Sequence, residues 1–521
     1  MSGPDTAEQP KFHRAHAAAH AEAGRWSEAA AAWRRALELD PGDKNDWNRL
    51  GLACRELGGL AEAARCFDRA VQLAPGSAAS LANAAAVRRD LGDIDESLSL
   101  YRRARELVPD NVGLLSAYLF TLNLSTRPSR EEIFREHLEY GRLMGGRRPA
   151  RAPARKIAAG AKLRIGYLSP DLRFHAISFF MEPVLAHHDR DQFEISCYYV
   201  HPQHDGMTHR LRQLSDRWVD CAEWPATDIA RRIESDGIDI LVDLAGHTAG
   251  SRIDVLAEEP APVIAAWLGY LNTTGLKCVD YRITDRHTDP PGLTERFHTE
   301  TLIRLPESQW CRQNPESAIA PGPLPAAQDG VVRFGSFNRS SKLSPEALAL
   351  WALLLQRLPA ATLLFADVAP DRRENVQRAM ADAGVDAARL DFVGRMSMAS
   401  FHALHHRIDI TLDAYPYSGA TTTFDSLWMG VPVLSLAGEA PMSRSTSSIL
   451  ATLGMSDWVA QSKQEFIALA ARHAGDLATL AALRAGLRRK LENSILMDGG
   501  RFTRDLEDLY RRMWLERGAS R

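Results

Sequence analysis

No run of the 521 residues approaches the roughly eighteen consecutive apolar positions that a membrane-spanning helix needs. The opening stretch MSGPDTAEQPKFHRAHAAAH has no apolar core flanked by basic residues, so it does not read as a secretory leader. C-x-x-C pairs are absent too. The six cysteines (Cys54, Cys66, Cys197, Cys221, Cys278, Cys311) are scattered through apolar or helical contexts, which suits buried thiols in a reducing compartment better than disulfides or a zinc site. These absences predict a cytoplasmic chain. An excess of either charge is also missing: 63 Lys and Arg face 66 Asp and Glu, a net charge of -3, which gives no electrostatic reason to expect nucleic acid or an anionic membrane as partner.

What is present begins with a repeat. Gly24, Gly58 and Gly92 are 34 residues apart, as are Pro41, Pro75 and Pro109, and the aromatics Trp33, Phe67 and Tyr101 keep the same step. The middle copy carries Trp47, Leu50, Gly51, Ala63, Phe67 and Pro75 at tetratricopeptide spacings, with Cys54 where a tyrosine is usual. Small residues let paired helices approach, the aromatic fills the gap, and proline ends the second helix. The expected unit is an α-solenoid of three repeats over 10–125, capped by a partial fourth, GLLSAYLFTLNL. Such stacks expose a groove that holds peptides; a purely stabilising extension is the alternative.

A helical and basic linker, 126–162, ends in GGRRPARAPARKIAAGAK, after which the hydrophobic period changes from helical to strand-like. The runs LRIGYLS, FEISCYYV, IDILVDLAG, VIAAWLGY and YRITD alternate with helix-compatible segments such as TDIARRIESDG, the signature of a doubly wound parallel sheet, here assigned to 163–315. A proline-rich linker, NPESAIAPGPLPAAQDG, precedes a second series, VVRFGSFN, ATLLFA, LDFVG, IDITLDAYP and VPVLSLAG, assigned with the terminal helices to 331–521. The fold class is thus an α-solenoid followed by two Rossmann-like α/β domains facing a cleft, the layout of nucleotide-sugar transferases.

Ligands of open α/β sheets sit beyond the carboxyl ends of the strands. Two junctions there carry suitable chemistry. In DAYPYSGATTTFDSLWMGVP a strand turns into a helix near Thr421, whose free amides and dipole favour a diphosphate; Thr421, Thr422 and Thr423 add hydroxyls, and Asp425 can accept from a ribose diol. Taken alone, this stretch is equally served by one threonine as an N-cap and Asp425 as a complement to the dipole. The second junction, FGSFNRSSKLSPEALALW, tilts the balance: it puts Arg339 and Lys342 in a turn before a helix starting at Ser344-Pro345, two cations able to neutralise phosphate without metal, although solvated loop charge reads the same way. Asp189-Arg190-Asp191 reads as a surface turn rather than a metal-binding motif.

From Leu163 to about Glu492 the chain resembles the catalytic region of the O-GlcNAc transferase and SPINDLY family of protein O-glycosyltransferases. The words that carry the resemblance are RIGYLSPDLRFHAISFF, DILVDLAGHTAGSR, PAPVIAAWLGYLNTTGLKCVDYRITD, FGSFNRSSKLSP and LDAYPYSGATTTFDSLWMGVPVLSLAG, and the repeats ahead of them are the family's arrangement. The resemblance implies transfer of a sugar from a nucleotide donor to Ser or Thr hydroxyls of protein acceptors, with inversion and with no metal or other cofactor. It assigns the donor diphosphate to Lys342, the phosphate cradle to Thr421 and Thr422, the ribose to Asp425, and the catalytic centre to His175 as base or donor-positioning group; a histidine that only hydrogen-bonds its loop is the plain alternative. Phe401 falls where animal-type members place a histidine against uracil, and an aromatic can stack on a base there; His247, after a strand end, is expected to line the acceptor side.

Arg339 and Ala420 depart from the animal-type pattern, while the three threonines and DYRITDRHTDPPG resemble the SPINDLY branch. UDP-GlcNAc is the expected donor, with GDP-fucose as the alternative; an inactive peptide-binding scaffold is the reading from outside catalysis. Expected partners are protein or peptide acceptors in the repeat groove, with no nucleic acid and no membrane, and a homodimer is left open.

Overall fold

Gly24, Gly58 and Gly92 hold left-handed backbone, with φ of 71°, 81° and 80°, the conformation glycine adopts at no steric cost and the one that lets one helix end and its antiparallel mate begin. The computed structural model describes residues 8–145, 161–313 and 319–519. It pairs α1 (Glu8–Glu22) with α2 (Trp26–Leu39), α3 (Lys44–Glu56) with α4 (Leu60–Leu73), and α5 (Ala78–Asp90) with α6 (Ile94–Leu107). Trp33, Phe67 and Tyr101 are buried between the mates, and a Cβ on Gly51 would lie 2.6 Å from the Phe67 ring, so the small residue is required where the aromatic fills the gap.

The fourth pair extends further than expected. After α7 (Val112–Leu122), a Ser129–Glu132 capping box starts α8 (Arg130–Met144), which buries Ile133, His137, Tyr140 and Met144. The helical layer therefore does not stop at 125, and the first part of the expected linker belongs to it. Residues 146–160 of the basic linker and 314–318 of the proline-rich one lie outside the described residues.

The first lobe contains β1 (Leu163–Ser169), α9 (Ala176–His187), β2 (Phe193–Tyr199), α10 (Gly206–Gln213), β3 (Arg217–Asp220), α11 (Ala226–Ser235), β4 (Ile240–Asp243), β5 (Val263–Ala266), β6 (Tyr281–Thr284) and β7 (Thr301–Arg304). Its sheet has the order β3-β2-β1-β4-β5-β6-β7 with every pairing parallel. In the second lobe come α12 (Ala326–Asp329), β8 (Arg333–Ser336), α13 (Pro345–Arg357), β9 (Thr362–Ala366), α14 (Pro370–Asp382), β10 (Leu390–Val393), α15 (Met398–Leu404), β11 (Ile410–Leu412), α16 (Thr421–Trp428), β12 (Val433–Leu436), α17 (Ser445–Thr452) and β13 (Val459–Ala460). Its parallel order is β10-β9-β8-β11-β12-β13. In both lobes the chain winds outward over three strands and returns on the other side of the first, so switch points lie between β1 and β4 and between β8 and β11.

The terminal helices are α18 (Lys463–Gly475), α19 (Leu477–Glu492) and α20 (Gly499–Ala519). Contrary to the sequence assignment, α20 returns to the first lobe: the Tyr510 hydroxyl is 3.0 Å from that of Tyr167, Glu507 meets His188 Nδ1 at 2.9 Å, and Phe502 stacks on Trp267. An amphipathic helix advertises an apolar stripe but not which sheet will cover it. Among the described residues no single helix is long and apolar enough to cross a membrane.

A buried polar network fixes the helical layer to the first lobe. His247 Nε2 donates to the Thr274 carbonyl and Nδ1 accepts from the Ser116 hydroxyl, both at 2.9 Å; His137 Nδ1 donates to Ile133 O at 2.7 Å and Nε2 accepts from Tyr270 at 2.8 Å. The neutral rings fit this pattern of donors and acceptors, and burial pushes His137 down to about 4 and His247 down to about 3 from the ordinary 6.5. The unfolded chain thus binds more protons below pH 6.5, and stability should fall as pH drops from there, by about 2 kcal/mol per ring at pH 5. Asp171 and Asp243, both raised to about 6 by burial, act in the opposite sense, so the discriminating quantity is a difference of slopes. Urea midpoints at pH 7 and pH 5 should separate less for His247→Asn than for the wild type; equal separations would contradict this role.

Candidate functional site

Three loops at the two switch points carry the polar chemistry. The first leaves β1 through Asp171 and Arg173 and enters α9 at His175, whose Nδ1 accepts from Ile177 N–H at 3.4 Å and lies 3.6 Å from Asp171 Oδ1. Burial lowers His175 to about 4, and the positive charges of Arg339 and Arg173 act in the same direction; burial raises Asp171 to about 6 against those two cations. Arg339, an exposed residue of the second lobe, therefore acts electrostatically on first-lobe groups across the cleft.

The second loop leaves β8 as a 3₁₀ turn, Ser340–Lys342, and ends where Ser344 caps α13 with Pro345 at its first position. Lys342 Nζ donates to the Ser418 carbonyl at 2.8 Å and stands 4.4 Å over the Tyr417 ring. Its amine is pushed down to about 8 by burial and by Arg339, against the pull of buried Asp413. Asp413 ends the β11 side of the site and organises it, accepting from Gly419 N–H at 2.8 Å and from the Ser435 hydroxyl at 2.7 Å.

The third loop runs from Asp413 into α16. Ala420 is the N-cap and no side chain caps that end, so the threonine-cap alternative does not describe it. The first bond of the helix runs from Phe424 N–H to Ala420 O. Thr421 and Thr422 are half-buried at this open N-terminus, and Thr422 Oγ1 is 3.4 Å from Asn338 Oδ1 in the neighbouring loop. Thr423 turns inward, bonding Gly419 O and Thr446 Oγ1 at 3.3 and 2.8 Å. A Cβ on Gly419 would lie 2.3 Å from Thr422 Oγ1 and 3.0 Å from Asn338 Oδ1, so only glycine lets the loops approach.

Sequence reasoning missed the partners of Asp425. Its Oδ1 meets Arg312 Nη1 at 2.9 Å and His402 Nε2 at 3.2 Å; Arg312 also donates to Thr421 O at 3.1 Å and lies 5.1 Å from the Phe179 ring. Burial by itself would raise the Asp425 carboxyl, but Arg312 and His402 hold it below its ordinary range. Arg312 follows the last strand of the first lobe, 113 positions before Asp425, and no local pattern announces such a pairing. Phe401 is half-buried, edge-on to Phe337 at 5.2 Å, with His405 stacked on Phe337 at 3.9 Å.

His247 departs from expectation. It is 2% exposed, with both ring nitrogens occupied between the helical layer and the first lobe, so it presents no open face to an acceptor. The strand end was legible, but not that α7 would cover it. Among the described residues no three His, Cys, Asp or Glu side chains are grouped as a metal would need.

Two facing Rossmann-like lobes, with cations and an open helix N-terminus at the switch point of the second, define the GT-B class of glycosyltransferases. The chain matches Glycosyl transferase family 41 over residues 141–313 and 324–506, and it belongs to that family. It is 34% identical over 411 residues to the protein named "Probable UDP-N-acetylglucosamine--peptide N-acetylglucosaminyltransferase SPINDLY" of Solanum lycopersicum, covering 76% of this chain and 43% of that one. The Arabidopsis thaliana protein of the same name is 36% identical over 360 residues, covering 68% of this chain and 39% of its own. The chain thus spans less than half the length of these curated relatives. A solved structure, a lysine-to-methionine mutant of the Thermobaculum terrenum O-GlcNAc transferase, superposes with a TM-score of 0.92 at 36% identity, covering 100% of both chains.

Proposed function

We propose that this chain is a protein O-glycosyltransferase that moves a sugar, GlcNAc from UDP-GlcNAc, to Ser and Thr hydroxyls of protein acceptors, with inversion and without metal. The observation that carries the reading is that the Lys342 amine is bonded to Ser418 O, in the loop that leads into the uncapped N-terminus of α16, while Arg339 of the same second-lobe loop as Lys342 acts on His175 of the first lobe. In the proposed step an acceptor oxygen bonds to the anomeric carbon as the bond from that carbon to the diphosphate oxygen breaks. Negative charge grows on the leaving diphosphate, where Lys342 and the α16 amides are preorganised to stabilise it.

The acceptor proton needs a destination. With Nδ1 of His175 accepting from Ile177 N–H, the neutral ring carries its proton on Nε2, which suits positioning by donation rather than proton abstraction. The proton then leaves through water or to the donor's own phosphate. The repeat stack supplies the groove for the acceptor polypeptide.

GDP-fucose is the second reading, favoured by the three threonines and DYRITDRHTDPPG, which resemble the SPINDLY branch. Calorimetric titration with UDP, GDP, UDP-GlcNAc and GDP-fucose in chelator-treated buffer tests both. Tight binding of the uridine pair is the expected result; tight binding of the guanosine pair moves the donor to GDP-fucose. Binding of none sinks the transferase and leaves a peptide-binding scaffold.

A further inference from the structure

The three turn glycines of the repeats are equivalent in sequence but not in surroundings. A Cβ on Gly24 or Gly58 would meet nothing within 4 Å, whereas one on Gly92 would lie 2.6 to 3.0 Å from the guanidinium of Arg372, a second-lobe residue at the start of α14. Arg372 is 4% exposed, far below what a solvated surface cation shows. Its Nη2 donates to the Leu343 carbonyl at 2.7 Å, and Nη1 stands 3.8 Å from Asp93, the residue after Gly92. Leu343 is the neighbour of Lys342 in the chain. One buried cation therefore touches both the α5–α6 turn of the third repeat and the backbone of the loop that presents the diphosphate-binding amine.

Neighbouring contacts agree. Asp371, beside Arg372, accepts from Ala61 N–H at 2.7 Å and so caps the start of α4, which has no cap of its own. Thr126 of the helical layer donates to Glu346, in the first turn of α13, at 2.6 Å. Phe120 of α7 lies 6.4 Å from Tyr417, the ring beneath Lys342. The helical layer is thus packed directly on the donor-side loops.

We propose that Arg372 is a positioning residue for transfer: it ties the turn at Gly92–Asp93 to the Leu343 carbonyl and holds the Lys342 loop in its diphosphate-binding conformation. The repeat stack is then a structural part of the donor site as well as an acceptor groove. The proposal rests on the donor-site reading above. A guanidinium suits the task because its planar fork can bond the carbonyl through one nitrogen and face the aspartate with another, a span that the compact ammonium of a lysine lacks.

The test uses the full chain. Arg372→Ala is expected to raise hydrogen exchange of the amides in 338–344 and to weaken nucleotide binding and raise the donor KM about tenfold, with the acceptor-peptide KM unchanged. Arg372→Lys should recover part of both effects. Gly92→Ala should reproduce them from the repeat side, while Gly24→Ala, strained by a similar positive φ but with no second-lobe side chain within 4 Å of the added Cβ, should not. A folded Arg372→Ala chain with unchanged exchange and normal nucleotide binding would overturn the proposal, as would Gly24→Ala and Gly92→Ala acting alike. Failure of the donor-site reading looks different: the wild type itself binds no nucleotide, and both ideas fall together.

Discussion

Lys342→Ala is expected to lower the rate of transfer by about a hundred- to a thousandfold, the scale on which enzymes lose rate when one preorganised donor to a developing anion is removed. The amine is held in place rather than free: it bonds Ser418 O, stands over Tyr417, and answers to the buried Asp413 charge. Single-turnover transfer and nucleotide titration on the same preparation separate chemistry from binding, and both should suffer. Full activity in that variant would remove Lys342 from the site. Lys342→Arg keeps the charge but replaces a compact ammonium by a planar fork, so it should restore only part of the rate.

The same amine predicts a pH dependence. Burial has lowered it to about 8 in the free protein, so its charged form is lost as pH rises through that value. kcat/KM for the donor should fall above pH 8. A bound diphosphate favours the charged amine, so the corresponding limb in kcat should lie at higher pH. Coincident limbs would mean that the group titrating is not one that faces the diphosphate.

The parts of this architecture that were legible are those set by local rules. A glycine with positive φ every 34 residues and an aromatic that must fill the gap between mates leave a period in the sequence, and the long core strands leave uninterrupted apolar words. Strands β3, β7 and β13 are no shorter than several that were legible, apart from two-residue β13, but each lies at a sheet edge and is only partly buried, so no uninterrupted apolar word marks it. The two strand-to-helix loops, with Arg339 and Lys342 in one and an uncapped helix end in the other, were legible for the same reason, since open helix ends and nearby cations have a local signature. Arg312, the contact of Arg372 with Asp93 and the burial of His247 were not, because each depends on a partner more than a hundred positions away. Charged residues at such positions look like ordinary surface residues until the fold supplies what surrounds them.

Arg312→Met is the second large effect to expect, and it is one of stability before it is one of catalysis. Arg312 is 3% exposed and Asp425 is 4% exposed, so removing the guanidinium strands a carboxylate in the interior with only His402 against it. Breaking a buried pair from one side costs about 3–5 kcal/mol, whereas replacing both partners by well-packed apolar groups is often neutral. The unfolding midpoint should therefore fall sharply for Arg312→Met and recover when Asp425→Leu is added, a coupling that a double-mutant cycle reads directly. Folded Arg312→Met should also bind nucleotide poorly, because the same guanidinium holds the Thr421 carbonyl at the start of α16 and its unpaired Asp425 would take up a proton. The double variant separates these roles: if it regains stability but not nucleotide binding, the pair is kept for the ligand. If it regains both, the pair only fills the interior, and Asp425 loses its claim on the ribose.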